Sequence, residues 1–171
     1  DSTAWLSTQY PNEKEKSVFD SLLMVLEIVT FVTTSLLAGL YFIFYNTVMP
    51  VLKERKTPEV MVRINEVILN KGFLTVFFSS PLSSFLCILI IFYQEQTPTM
   101  LLFLFGAGLA ISGFLITLFF NVPLNNRLKD SGTQLNQTWQ HYLQKWGRWN
   151  AIRGCLSLAS ITLMASHFVI Q

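Results

Sequence analysis

Four long apolar runs, 21–52, 72–93, 100–122 and 151–170, dominate this chain and carry almost no charge. A helix rising about 1.5 Å per residue needs roughly 20 residues to cross about 30 Å of hydrocarbon, so each run can span a bilayer. Inside lipid an unpaired polar group costs several kcal/mol, which forces the backbone into helices and the scarce hydrophilic side chains toward partners or a cavity. The expectation is an all-α, antiparallel four-helix transmembrane bundle.

Composition agrees. Of 171 residues 51% are hydrophobic and 13% charged, with a mean hydropathy of +0.45, too apolar for a water-soluble domain of this length and too short for a second bundle. A net charge of +2 does not suggest a nucleic-acid partner. The basic residues report orientation instead. Lys53, Arg55, Lys56, Arg63 and Lys71 lie between runs one and two, and Arg127, Lys129, Lys145 and Arg148 between runs three and four. This bias predicts both basic loops in the cytoplasm and both termini outside. The first run lacks the short basic lead and cleavage site of a secretory signal, so it is expected to stay as a span. Cys87 and Cys155 fall within apolar runs at a spacing that fits no metal or redox motif, and a disulfide between them is not expected.

Pro50 predicts that the first span, 21–49, ends at Met49, because proline disfavours helix at the residue before it. Thr57, Pro58 and Glu59 resemble an N-cap followed by proline at the first helical position. Val60, Met61, Ile64, Val67 and Ile68 then repeat at helical spacing, predicting a short amphipathic helix on the cytoplasmic face. Pro81, flanked by Ser79, Ser80 and Ser83, predicts a kink in the second span. Gly106 with Ala110, Gly108 with Ser112, and Ser35 with Gly39 stand at the small-xxx-small spacing of close helix contacts. The polar sections 1–20 and 125–145 are too short to form a core of their own.

Candidate functional residues gather at the basic end. Trp146, Trp149, Asn150 and Arg153 stand at i, i+3, i+4 and i+7, so two indoles, an amide and a guanidinium are expected on one helix face. The plainer reading is an interface anchor, since Trp and Arg favour the headgroup level. Asn121 and Asn125 are also four apart and face one way, and Pro123 at this depth leaves backbone carbonyl groups free to accept hydrogen bonds. As neighbours, Asn125 and Arg153 could hold a substrate oxygen or tie two helices together.

The order of motifs 48–52 (Val-Met-Pro-Val-Leu), Arg63–Ile64–Asn65, Phe73, Pro123, Asn125, Trp146, Trp149, Asn150 and Arg153 resembles the anthrone oxygenase-like family of small membrane proteins. The resemblance covers roughly 36–157. It implies a four-span bundle with Asn65, Asn125, Trp149, Asn150 and Arg153 gathered near one membrane face. It also implies oxidation of polycyclic phenolic anthrones to quinones by molecular oxygen, with neither metal nor flavin, although most members of the family have no assigned function. Such a reaction fits a substrate that loses a proton and whose carbanion then passes an electron to oxygen. It calls for a base, donors for the developing oxyanion and a dry pocket. Arg153 with Asn125 or Asn150 could supply the donors. Asn65, Asn121, Trp146, Trp149 and Asn150 are the substrate-binding candidates. His141 is the candidate base, against the plainer reading of a solvated loop histidine.

At the other end Glu27 and His167 are expected at similar depths, and an ionisable residue within a span suggests function. The pair is a proton-linked candidate, a relay or switch, with a structural hydrogen bond as the alternative. Metal is not expected: His141 and His167 should lie on opposite faces, and no HExxH motif or cysteine or carboxylate cluster completes a site. A lone histidine can ligate haem axially, which leaves haem open. No glycine-rich phosphate loop points to nucleotide use, and a filled four-span bundle argues against a channel. Expected partners are membrane lipid, a small hydrophobic molecule, and another membrane protein or a second copy of the chain. The competing function is a non-catalytic bundle serving as a subunit of a membrane assembly.

Overall fold

The computed structural model describes residues 13–93 and 97–170, and every regular element among them is helical. α1 (Glu13–Ile43) passes through a π-turn (Phe44–Val48) into α2 (Met49–Arg55). α3 (Pro58–Val67) lies across the basic end, and α4 (Lys71–Tyr93) returns through the bundle. α5 (Pro98–Ile116) passes through a second π-turn (Thr117–Asn121) into α6 (Val122–Lys129), and α7 (Leu135–Ile170) completes the fold. Four of these rods are long and apolar enough to cross a membrane. The chain is therefore a multi-pass membrane protein folded as an antiparallel four-helix bundle. Residues 1–12 of the polar N-terminal section lie outside the described residues.

The rods form a ring in which α1 and α5 each pack against both α4 and α7. Polar ties hold neighbours together where lipid offers no competing water. Thr30 Oγ1 donates to Ser83 Oγ at 2.8 Å, and the Thr34 and Ser80 hydroxyls meet at 2.9 Å, joining α1 to α4. Bonds of this type contribute about 0.6–2 kcal/mol each in membranes. Between α5 and α7, Ser160 Oγ donates to the Gly106 carbonyl at 2.7 Å. A Cβ on Gly106 would stand 2.9 Å from Met164 Cγ and 3.0 Å from the Ser160 carbonyl, so this close approach needs glycine. The Gly106–Ala110 pair thus lies on the packed face. Gly39 and Gly108 make no such close contact, since a Cβ at either position would meet nothing within 4 Å.

The first rod does not end at Met49. It runs on to Arg55, because the chain absorbs Pro50 by widening one turn: the Met49 N–H bonds to the Phe44 carbonyl, five residues back, just before the proline. The same device precedes Pro123, where the Val122 N–H bonds to the Thr117 carbonyl. Helix also continues through Pro81, with the Ser83 and Ser84 hydroxyls bonding the Ser79 and Ser80 carbonyls at 2.7 Å. Section 125–145 is largely helical as well, and α7 starts at Leu135, well before Ala151. Its early turns are held by packing that the local sequence does not reveal: Trp139, Tyr142 and Trp146 are buried with Phe44, Met49, Leu52, Met61 and Leu128 in a core that joins α2, α3, α6 and α7. α3 begins at Pro58 after Thr57 as expected, but the Thr57 side chain makes no capping bond.

Candidate functional site

At the basic end the rods enclose a cavity of about 310 Å³. Its wall is largely apolar, built by α1, α4 and the α5–α6 rod and roofed by α3, and its polar groups converge from three helices. Arg153 on α7 is the central one. Nine-tenths or more of the side chain is buried, with a relative exposure of 5%. Nη1 donates to Thr117 Oγ1 and Nη2 to Asn150 Oδ1, both at 2.9 Å. The guanidinium carbon lies 4.3 Å from the centre of the Tyr41 ring and 5.5 Å from that of Trp146, a cation–π setting on two sides. Among the described residues no carboxylate forms an ion pair with it. A buried cation so placed is costly unless an anion or a polarised oxygen joins it.

The surrounding groups are held firmly. Asn150 Nδ2 donates to the Tyr41 carbonyl at 2.9 Å, which fixes the amide that in turn receives Arg153. Asn121, 1% exposed, sits in the second π-turn, and its Nδ2 reaches the Trp146 carbonyl at 3.5 Å. Tyr142 donates its hydroxyl proton to Asn125 Oδ1 at 2.8 Å and accepts from Asn65 Nδ2 at 3.4 Å, linking α3, α6 and α7 over the cavity. The rings of Trp139, Tyr142 and Trp146 stack in succession at 5.6 and 5.7 Å along α7.

Three atoms of cavity-lining residues are buried yet have no hydrogen-bond partner among the described residues: Arg153 Nε, Trp146 Nε1 and Asn121 Oδ1. Trp139 Nε1 and His167 Nε2, away from the cavity, have no hydrogen-bond partner among the described residues in the same way.

Most of the residues expected at this site do meet there. Asn65, Asn121, Asn125, Trp146, Asn150 and Arg153 all line the cavity. Asn125 and Arg153 share it without bonding to each other, because Tyr142 takes the former and Thr117 and Asn150 the latter. Trp149 does not line it. Its ring stacks on Phe120 at 3.9 Å, since a three-residue step along the helix turns it toward the α5–α6 rod. His141 is not on a loop: it lies within α7, is exposed, and is not part of the cavity wall. Tyr41, Thr117 and Tyr142 are site residues that sequence reasoning misses. Tyr41 and Thr117 sit inside apolar runs where nothing local separates them from lipid-facing residues.

At the opposite end Glu27 and His167 do come together. His167 Nε2 lies 3.3 Å from Glu27 Oε1, an ion-pair distance without the alignment of a hydrogen bond, and Nδ1 lies 2.9 Å from the Thr99 carbonyl. Both side chains are buried, at 0% exposure for His167 and 6% for Glu27. Cys87 is buried, Cys155 is exposed, and both are free thiols.

The fold and cavity define an all-α integral membrane protein with a cluster of buried polar side chains beside a cavity at the basic end. A family model described as anthrone oxygenase matches residues 67–163, more than half of the chain, and the chain belongs to that family. Neither the curated proteins nor the solved structures yield a match. The matched stretch contains Asn121, Asn125, Trp146, Asn150 and Arg153, while Tyr41 and Asn65 come from outside it.

Proposed function

We propose that the protein binds, and in the presence of molecular oxygen oxidises, a small hydrophobic aromatic molecule in the Arg153 cavity, without a metal or organic cofactor. The observation that carries this reading is the buried Arg153 guanidinium, with no carboxylate partner among the described residues, in the wall of a cavity of about 310 Å³, large enough for a fused tricyclic ring system. A helix tie alone does not call for a void beside the guanidinium, which favours a binder or enzyme over a purely structural subunit. Membership of the anthrone oxygenase family supports the choice of reaction.

For a hydroxylated anthrone the overall change is ring CH₂ plus O₂ to ring C=O plus H₂O. Loss of a ring proton to water gives an anion whose negative charge rests mainly on the ketone oxygen. Arg153, held in place before the ligand arrives, stabilises that oxygen in a low-dielectric setting, and Trp146 can donate to the same atom. The anion then passes an electron to oxygen, and the ring radical and superoxide combine in a C–O bond. The peroxide takes back the proton, and loss of the second ring hydrogen with O–O cleavage releases water and leaves the new ketone. Asn121 Oδ1 accepts from a ring hydroxyl, and the apolar wall keeps the intermediate from water. The positive-inside bias supports a cytoplasmic setting for this basic end, with lipid around the rods as the immediate partner.

The test is oxygen uptake and quinone formation by purified protein in phosphatidylcholine vesicles supplied with 1,8-dihydroxyanthrone. Wild type should exceed the spontaneous rate by at least tenfold, and Arg153→Ala and Asn121→Ala should lose that excess while still inserting. Equal rates in all samples overturn the oxygenase reading.

A further inference from the structure

The cavity has two sides on which a ligand could enter. On the basic, polar side α3 covers it. Glu66 Oε1 on α3 lies 3.2 Å from Lys129 Nζ on α6, and the Asn65–Tyr142–Asn125 chain fastens the same helix beside it.

The other side is different. α4 packs along α1 and α5, but neither the π-turn Thr117–Asn121 nor α6 is among its main packing neighbours. Toward the membrane centre α4 and α5 are zipped by Phe114, whose ring lies 5.0 Å from Phe77 and 5.9 Å from Phe78. Beyond that sill the two rods part. The cavity walls there carry exposed apolar side chains: Phe78 at 52%, Leu118 at 38% and Val122 at 38%. Phe78 stands seven residues past Lys71 and Leu118 nine before Arg127, so they lie roughly 10 and 13 Å along their helices from these basic residues. That is hydrocarbon depth, and exposed phenyl and isobutyl groups there face acyl chains rather than water.

We propose that the cavity exchanges its ligand with the bilayer, through a lateral opening between the first turns of α4 and the second π-turn. Phe78 and Leu118 are its two jambs. The inference rests on the reading of the cavity as a ligand site, and it sets the substrate class further: molecules that partition into the lipid leaflet and enter ring-first past apolar side chains. Transfer of a tricyclic hydrocarbon face from water to lipid concentrates such a molecule by roughly a thousandfold or more, so a membrane-side door meets far more of it than an aqueous one. An oxygen at the leading edge then reaches Arg153, whose Nη1 partner Thr117 immediately precedes Leu118.

The experiment compares two closures in a Cys155→Ser background, which leaves only the buried Cys87. Leu118→Cys is capped with a benzyl methanethiosulfonate to plug the lateral opening, and Glu66→Cys with Lys129→Cys is bridged by a short bis-maleimide to lock α3 down. The probe is 1,8-dihydroxyanthraquinone, a stable hydroxylated tricycle, added to phosphatidylcholine proteoliposomes. Its uptake is read as the rate of saturable tryptophan quenching. The benzyl plug should slow uptake at least tenfold, with full recovery after dithiothreitol in the same sample. The α3 lock should change it less than twofold. Phe78→Ala with Leu118→Ala should speed uptake severalfold. A lock that slows uptake tenfold while the plug has no effect overturns the lateral route and leaves the ligand site standing. Absence of saturable quenching in the wild type overturns the ligand site itself, and the route with it.

Discussion

Arg153 Nη1 donates to Thr117 Oγ1 at 2.9 Å, so the buried cation of α7 is held by a hydroxyl in a π-turn of the neighbouring rod, not by a carboxylate. Among the described residues its positive charge is therefore not neutralised by a carboxylate. Arg153→Lys keeps the charge but gathers its three N–H donors on one nitrogen, which cannot span Thr117, Asn150 and a ligand as the planar guanidinium fork does. Affinity for 1,8-dihydroxyanthraquinone should fall about 10- to 100-fold, or roughly 1.4–2.8 kcal/mol. Titration by tryptophan quenching measures it, and an unchanged affinity would show that the ligand does not touch this group.

The π-turns are expected to aim Asn121 and Phe44. Each ends just before a proline that has no N–H for an ordinary helical bond. Replacing Pro123 with Ala restores that donor and lets the turn relax to α geometry, which rotates Asn121 away from the Trp146 carbonyl. Ligand affinity should drop at least fivefold while thermal stability in detergent changes by less than about 1 kcal/mol. Comparable losses in both would mean that the turn serves packing alone.

Glu27 and His167 are far from the cavity, at the other end of the rods. Removing one partner strands the other in a buried, apolar setting, so Glu27→Ala or His167→Ala should each cost about 3–5 kcal/mol of stability. Ligand affinity at the Arg153 cavity should stay within twofold of wild type. In a double-mutant cycle, Glu27→Ala with His167→Ala should cost less than the sum of the two single losses. Strict additivity would deny that the two are coupled.

The Tyr142 hydroxyl sits between Asn65 and Asn125. Tyr142→Phe removes it with little loss of packing and should cost about 1 kcal/mol of stability and a few-fold in affinity, because Asn125 then turns freely. Hydrogen exchange of α3 amides, read by mass spectrometry, should quicken in this variant.

Lys129 and, less strongly, Arg63 hold the Glu66 carboxyl below the ordinary carboxylate range. A lowered folded value means that the tie between α3 and α6 is complete above the ordinary carboxylate pKa and is lost as pH falls through the lower folded one. Spin labels on exposed Glu59 and Arg127 should show a single distance at pH 7 and a broader distribution once the pH has fallen below the lowered folded value, and Glu66→Gln should broaden it at both. A distribution unaffected by pH would leave the tie without a positioning role.

Much of this was legible in the amino-acid order. Long uncharged runs can only be rods in lipid, and the spacing of residues 146, 150 and 153 puts an indole, an amide and a guanidinium on one face, which the bundle buries. Glu27 and His167 could be matched by depth because both lie a short way in from the same end. Other features depend on a neighbour that the local sequence does not name. Tyr41 and Thr117 become polar contacts only when α1, α5 and α7 meet. Helix through Pro50 and Pro123 depends on the wider turns before them, and the early turns of α7 depend on burial of Trp139 and Tyr142 against α2 and α3. Trp149 shares a nominal face with Arg153, yet Phe120 captures its ring.

The most direct measurement of the central claim is native mass spectrometry of the wild type and Arg153→Ala, each released from vesicles equilibrated with 1,8-dihydroxyanthraquinone. The wild type should carry one added mass of the ligand per chain, and the variant should carry none at the same concentration. Equal occupancy of the two, or a wild type that never retains the ligand, would contradict a binding site built around the buried guanidinium.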